Sequence, residues 1–150
     1  MPDHPVAQLL KQVEQLRRFA ATTPSEGPFA NYTGITIQPH VIEHGRPFAG
    51  IKRPKGYRRR AAKQCFQNAA LLAIEGRGTY VEGYAAPLAG NLIIEHAWVT
   101  VDNLHAVDVT WVNPERAAYF GVPIPSTVLL KLLCERSDVL SPLKQIVFGK

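Results

Sequence analysis

Of the two cysteines in this 150-residue chain, Cys65 is the one placed for chemistry. It stands at the start of the run Gln64–Glu75, where Phe66, Ala69, Ala70, Leu72, Ala73 and Ile74 supply apolar residues at helical spacing and Gly76 and Gly78 act as stop signals. A helix over this run puts Cys65 in its first turn. The backbone N–H groups there lack intrahelical partners and carry the positive end of the helix dipole. Both effects favour thiolate over thiol, and the same groups can receive the oxyanion of a tetrahedral intermediate. Gln64, Gln67 and Asn68 are candidate side-chain donors beside them. The ordinary fate of a cysteine is to be a small buried residue, and that is the expectation for Cys134, which lies among leucines.

A nucleophilic thiol needs a base, and the base needs a group that fixes its tautomer. His96 lies in the apolar run Ile93–Val99, where strand alternation sets His96, Trp98 and Thr100 on one face and Ala97, Val99 and Val101 on the other. Asp108 lies in the next such run. Aspartate suits strand interiors poorly, so its presence there implies a specific partner. Hairpin register decides whether the two meet. With a three-residue loop, Val101–Asp102–Asn103, and Asn103 in the left-handed conformation that asparagine tolerates, Thr100 pairs with Leu104 and His96 faces Asp108. A two-residue loop would turn Asp108 to the opposite face.

The elements that must position these residues follow from periodicity. A helix is predicted for Val6–Ala20, a loop for Thr22–Pro28, a weak strand for Ile35–Gln38 and irregular chain for His40–Arg60. After the Cys65 helix come three strands, Thr79–Ala86, Leu92–Val101 and Leu104–Trp111, with a turn over Pro87–Asn91. Ser126 caps a helix over Thr127–Glu135, and Lys144–Phe148 reads as a short edge strand. The order gives a single α+β domain, with the nucleophile helix packed on a small antiparallel sheet. Its core spans about 62–112, preceded by the N-terminal helix and a basic arm (1–61) and followed by a C-terminal helical region (113–150).

The segments CFQNAALLA, YVEGYA, EHAWVTVDN and AVDVTW resemble the transglutaminase-like superfamily of thiol enzymes, which is papain-like in architecture. In that family a cysteine begins a helix, a strand ending in Gly-Tyr follows, and then His-Ala-Trp and Asp-x-Thr. Here Cys65, Gly83–Tyr84, His96–Ala97–Trp98 and Asp108–Thr110 match, over roughly residues 62–112. The resemblance implies a Cys–His–Asp triad acting on an amide: an amide hydrolase, a peptidase, or a glutamine deamidase or transglutaminase, with water or an amine resolving the acyl-enzyme. Glu82 and Trp98 are further candidates for the cleft.

Composition sets the competing reading. The net charge is +5, with the basic cluster Lys52, Arg53, Lys55, Arg58, Arg59, Arg60 and Lys63 around Tyr57. Such a run favours anionic partners, either an acidic peptide or protein substrate or, less readily, nucleic acid. Arg58, Arg59 and Arg60 are the anion-binding candidates, and the arm is expected to serve capture and not the fold. The alternative function is a non-catalytic basic module that binds nucleic acid or protein on the same fold. His40, His44 and His105 lack paired metal-ligand spacing, so neither metal nor cofactor is expected. No apolar stretch approaches the roughly 18 residues of a membrane span and no leader pattern opens the chain, so a cytoplasmic location is expected unless export is non-classical. Oligomeric state is not legible in the sequence.

Overall fold

The computed structural model of the protein describes residues 38–87, 93–135 and 141–148. The helix expected over Val6–Ala20, the loop over Thr22–Pro28 and most of the strand expected over Ile35–Gln38 lie outside them. Within them the order is α1 (Gln38–His44), β1 (Arg46–Gly50), α2 (Cys65–Ile74), β2 (Thr79–Pro87), β3 (Ile94–Thr100), β4 (His105–Ala106), a 3-10 turn (Pro114–Arg116), β5 (Ala117–Ile124), α3 (Ser126–Glu135) and α4 (Pro142–Phe148). This is an α+β architecture. No helix among the described residues is long and apolar enough to cross a membrane.

The five strands run β3-β2-β5-β1-β4. All neighbours are antiparallel except β1 and β4. The sheet curls until its two edges touch at a single bridge, Val99 with Val107, where each N–H reaches the other carbonyl at 3.1 and 2.8 Å. Curling divides the apolar residues into two sets. Phe48, Val81, Ala85, Trp98, Ala106, Ala117 and Tyr119 form one buried cluster, which among the described residues is drawn from strands and from no helix and so lies inside the curl. Tyr80, Tyr84, Ala97, Val99 and Phe120 cluster with Ala69, Leu72, Leu129 and Leu143, so the helices cover the outer face. The alternation of strand side chains makes both sets from the same strands.

Two glycines face each other at the centre, Gly83 on β2 and Gly121 on β5. A Cβ on Gly83 would sit 2.3 Å from the Phe120 carbonyl oxygen and 2.5 Å from Gly121 Cα; one on Gly121 would meet the Trp98 ring at 2.8 Å. The large indole of Trp98 therefore occupies space that the second glycine leaves.

Three expectations need correction. His40–Arg60 is not irregular throughout: it contains most of α1 and all of β1, whose Pro47 and Gly50 hid a strand with one buried side chain, Phe48. The strand expected over Leu104–Trp111 ends after Ala106, apart from the Val107 bridge. Lys144–Phe148 is helical and not an edge strand, because Ser141 caps the segment: its Oγ accepts the Lys144 N–H at 3.2 Å, and Pro142 suits the first helical position. Ser126 is the first helical residue of α3.

Candidate active site

Cys65 is the first residue of α2. Gln64 precedes it at the cap position with φ −121° and ψ 43° and makes no side-chain cap bond. Before that, Lys63 has φ 64°, a left-handed conformation uncommon outside glycine and asparagine, which turns the arm into the helix. The Asn68 N–H closes the first helical bond onto the Gln64 carbonyl at 2.8 Å. The N–H groups of Cys65, Phe66 and Gln67 thus face outward from an uncapped helix start.

His96 and Asp108 sit together as their spacing suggests, but by another register. The Val99–Val107 pairing is two residues out of step with the expected Thr100–Leu104 pair, because the Asp102 carboxylate holds the Leu104 N–H at 2.9 Å and widens the loop. Asn103 does take the left-handed conformation, with φ 66°. A shift of two keeps every side chain on its face, whereas a shift of one would have separated the pair. His96 Nε2 lies 2.8 Å from Asp108 Oδ2. A carboxylate only accepts, so Nε2 carries a proton and Nδ1 is the nitrogen left for Cys65. His96 is 2% exposed and Asp108 0%.

Asp108 is fully engaged. Its Oδ1 accepts the N–H groups of Thr110 at 2.8 Å and Trp111 at 3.3 Å, which turns the chain out of the sheet and ends β4. Its Oδ2 accepts the Tyr119 hydroxyl at 2.8 Å as well as His96. Burial raises the pKa of Asp108, but the hydrogen bond and charge of His96, with the bonds from Thr110 and Tyr119, outweigh burial and hold it below the usual carboxylate range. His96 moves the other way. Burial pulls it down, yet the hydrogen bonds and charges of Asp108 and Cys65 prevail and raise it to about 9. Tyr119 is pushed far above the ordinary phenol range, first by burial and then by the Asp108 charge, so it stays a donor.

Trp111 lies over the imidazole, with ring centroids 4.3 Å apart and planes 29° from parallel. Its backbone is tied down: Arg53 donates to the Trp111 carbonyl at 2.8 Å, Arg59 Nε to the Thr110 carbonyl at 3.3 Å, and the Arg60 N–H to the Val109 carbonyl at 2.7 Å. Asn68 Nδ2 donates to Ala61 at 2.8 Å and to Thr110 Oγ1 at 3.0 Å, which locks the start of α2 against the Asp108 loop.

These contacts correct several assignments. Asn68 is buried and committed to positioning, not to an oxyanion. Glu82 points to the outer face, where it accepts from Tyr80 at 2.6 Å, from Ser141 and from the Leu143 N–H at 3.1 Å. Burial raises its pKa against those bonds, and its place is a tie to α4 and not a cleft. Trp98 is core inside the curl, its Nε1 without a hydrogen-bond partner among the described residues. Gln64 and Gln67 are exposed, and Gln64 is the one that adjoins Cys65. Cys134 is exposed rather than buried, while Cys65 is buried. Arg59 and Arg60 are not free anion binders: Arg60 pairs with Glu75 at 3.0 Å besides the backbone bonds above. The arm therefore serves the fold as well, and the three arginines separate in their effects. Arg58→Gln should leave the melting temperature unchanged, whereas Arg60→Gln should cost up to about 1 kcal/mol, its half-exposed ion pair being screened by solvent; thermal unfolding of both variants checks this.

Two residues of the site were not singled out for it from the sequence. Tyr119 lies on β5, a strand whose Gly121 and Pro123 interrupt the usual signal. Trp111 ends an expected strand, and nothing in its spacing marks it as the cover of His96. Among the described residues no group of three or more His, Cys, Asp or Glu could hold a metal ion. His40 stacks on His44 at 4.6 Å, and His105 is paired with Asp102. Comparison of the chain with protein-family models, curated proteins and solved structures finds no match.

Proposed function

We propose that the protein is a thiol-dependent acyl-transfer enzyme acting on amide bonds, with Cys65 as nucleophile, His96 as acid and base, and Asp108 as the positioning carboxylate. The observation that carries this reading is the buried imidazole held on Nε2 by Asp108, with Cys65 beside it at an uncapped helix start. A histidine needed only for packing would not require a carboxylate that is itself fixed by three further donors. The placement of helix-borne Cys, strand-borne His and following Asp also supports the transglutaminase-like, papain-like architecture suggested by the sequence.

The chemistry runs in two steps. Cys65 gives its thiol proton to His96 Nδ1 as Sγ bonds to the amide carbonyl carbon, and the N–H groups at the start of α2 receive the oxyanion. His96 Nδ1 delivers a proton to the leaving nitrogen as the C–N bond breaks, which leaves a thioester. Water or an amine, deprotonated by His96, then displaces the thiol. Asp108 stabilises the imidazolium throughout without taking its proton. Trp111 and the curled sheet keep water from the ring.

The two thiols supply the test. A peptidyl acyloxymethyl ketone should alkylate Cys65 in the native protein and spare exposed Cys134, with the adduct located by mass spectrometry. His96→Ala should slow that labelling by about 10²–10⁴-fold. Labelling of Cys134 at an equal rate, or a rate indifferent to His96, would sink the proposal.

A further inference from the structure

The positive charge of the chain is concentrated. Between His44 and Ile74 lie eight of its 17 lysines and arginines and none of its 12 acids, so the remainder, with nine cations and 12 acids, is net acidic. This segment contains Cys65 and the arm that leads to it.

The arm is docked, not loose. Arg53, Arg59 and Arg60 hold the Asp108 loop through its carbonyls, as described above. Tyr57 donates its hydroxyl to the Arg77 carbonyl at 2.9 Å, and the Arg77 guanidinium lies 4.3 Å above the Tyr57 ring. The contacts leave Lys52, Lys55, Arg58 and Lys63 exposed, and among the described residues none of these four is in an ion pair. Lys63 is two residues from the nucleophile. Arg58 adjoins Arg59 and Arg60, which touch the loop that carries Asp108. Four exposed cations, unpaired among the described residues, are thus carried on a docked backbone in the segment that leads into the Cys65 helix. Charges fixed in this way raise the local concentration of an anionic ligand without the entropy cost of ordering a flexible arm.

The anion they suit is a polypeptide and not a nucleic acid. Single-stranded nucleic acid binds by stacking bases on aromatic rings interleaved with cations. Tyr57 is the only aromatic residue of the arm, and its face is covered by Arg77 while its hydroxyl is bonded. We propose that Lys52, Lys55, Arg58 and Lys63 select acidic polypeptides, capturing Asp and Glu side chains that flank the amide presented to Cys65. This inference rests on the acyl-transfer reading for the amide, but its binding half can be measured apart from catalysis.

The test uses the Cys65→Ala protein and two fluorescein-labelled peptides of equal length, one with glutamates flanking a central glutamine and one with glutamines in their place. Anisotropy at low salt should show the acidic peptide bound at least about 10-fold more tightly. That advantage should fall within about twofold in 0.5 M salt, and likewise when Lys52, Lys55, Arg58 and Lys63 are all replaced by glutamine. Equal affinity for the two peptides, or a preference that survives the fourfold replacement, overturns the proposal. So does a single-stranded oligonucleotide that displaces the acidic peptide at lower concentration than the unlabelled peptide does. Failure here leaves Cys65 alkylation by the ketone probe intact, whereas failure of the acyl-transfer reading abolishes that alkylation and leaves the peptide preference.

Discussion

Replacement of Asp108 by alanine should cost about 3–5 kcal/mol of folding stability, because it strands a buried imidazole and three further donors at once. Urea unfolding measures this directly. Catalysis should fall on the order of 10⁴-fold, since the ring loses both its tautomer and its counter-charge. Asp108→Asn separates the two effects. It keeps most of the packing, yet the His96 ring should titrate well below the value of about 9 that it holds in the native site, which NMR of the imidazole protons reads. The pH dependence has a definite sign. His96 is raised on folding, so its contribution to stability is complete below about pH 6.5 and is lost as pH rises through about 9; the size is on the order of 3 kcal/mol. Asp108 is lowered, so its contribution is present above the unfolded carboxylate range and fades as acid protonates the native carboxylate. An unfolding midpoint that does not fall between pH 6.5 and 9 in the wild type, or that falls equally in the Asp108→Asn protein, would show that His96 is not held as an imidazolium.

Gly83→Ala should be comparably damaging although it touches no reacting group. The added methyl would lie 2.3 Å from a carbonyl oxygen and 2.5 Å from a Cα of β5, both backbone atoms that no rotamer change can move. Parting β2 from β5 at that point breaks the longest antiparallel pairing in the sheet. A loss above about 3 kcal/mol is expected, seen as insoluble protein or a collapsed melting temperature. Gly76→Ala is the control. Its φ is positive, 75°, unlike that of Gly83, but a Cβ there meets nothing within 4 Å, so only the strain of about 1 kcal/mol remains.

The contrast between these positions bears on what the sequence could tell. The α2 helix was legible because its apolar spacing and its glycine stops agree, and β2 and β3 because their alternation is long. The face shared by His96 and Asp108 was legible for a weaker reason: parity survives a register error of two, and the loop did err by two. The true register depends on the Asp102 carboxylate and on Thr100 Oγ1, which accepts the Asn103 N–H at 2.9 Å; local polar bonds of this kind leave no periodic trace. Strands β1 and β5 were hidden by Pro47 and Pro123 and by Gly50 and Gly121, which close backbone approach requires, and with β5 went Tyr119. Cys134 was misjudged because leucines near in sequence were taken for neighbours in space, while α3 buries Leu129 and turns the thiol outward.

The position of β5 has a consequence for how the chain reaches this state. It is inserted between β2 and β1, which precede it and do not touch each other in the sheet. Until Ala117–Ile124 has arrived, β1 and β2 each present an open edge, and the bridge from Val99 to Val107 has no complete sheet to close. Pairings such as Phe48 with Tyr119 join residues far apart along the chain, so loop closure precedes most of the favourable contacts and folding should be slow for a protein of this size. A ribosome-bound fragment ending before Ala117 would contain the cysteine, the histidine and the aspartate and still have no assembled centre. The environment proposed to activate Cys65 would thus be assembled late, among the last features to emerge during folding.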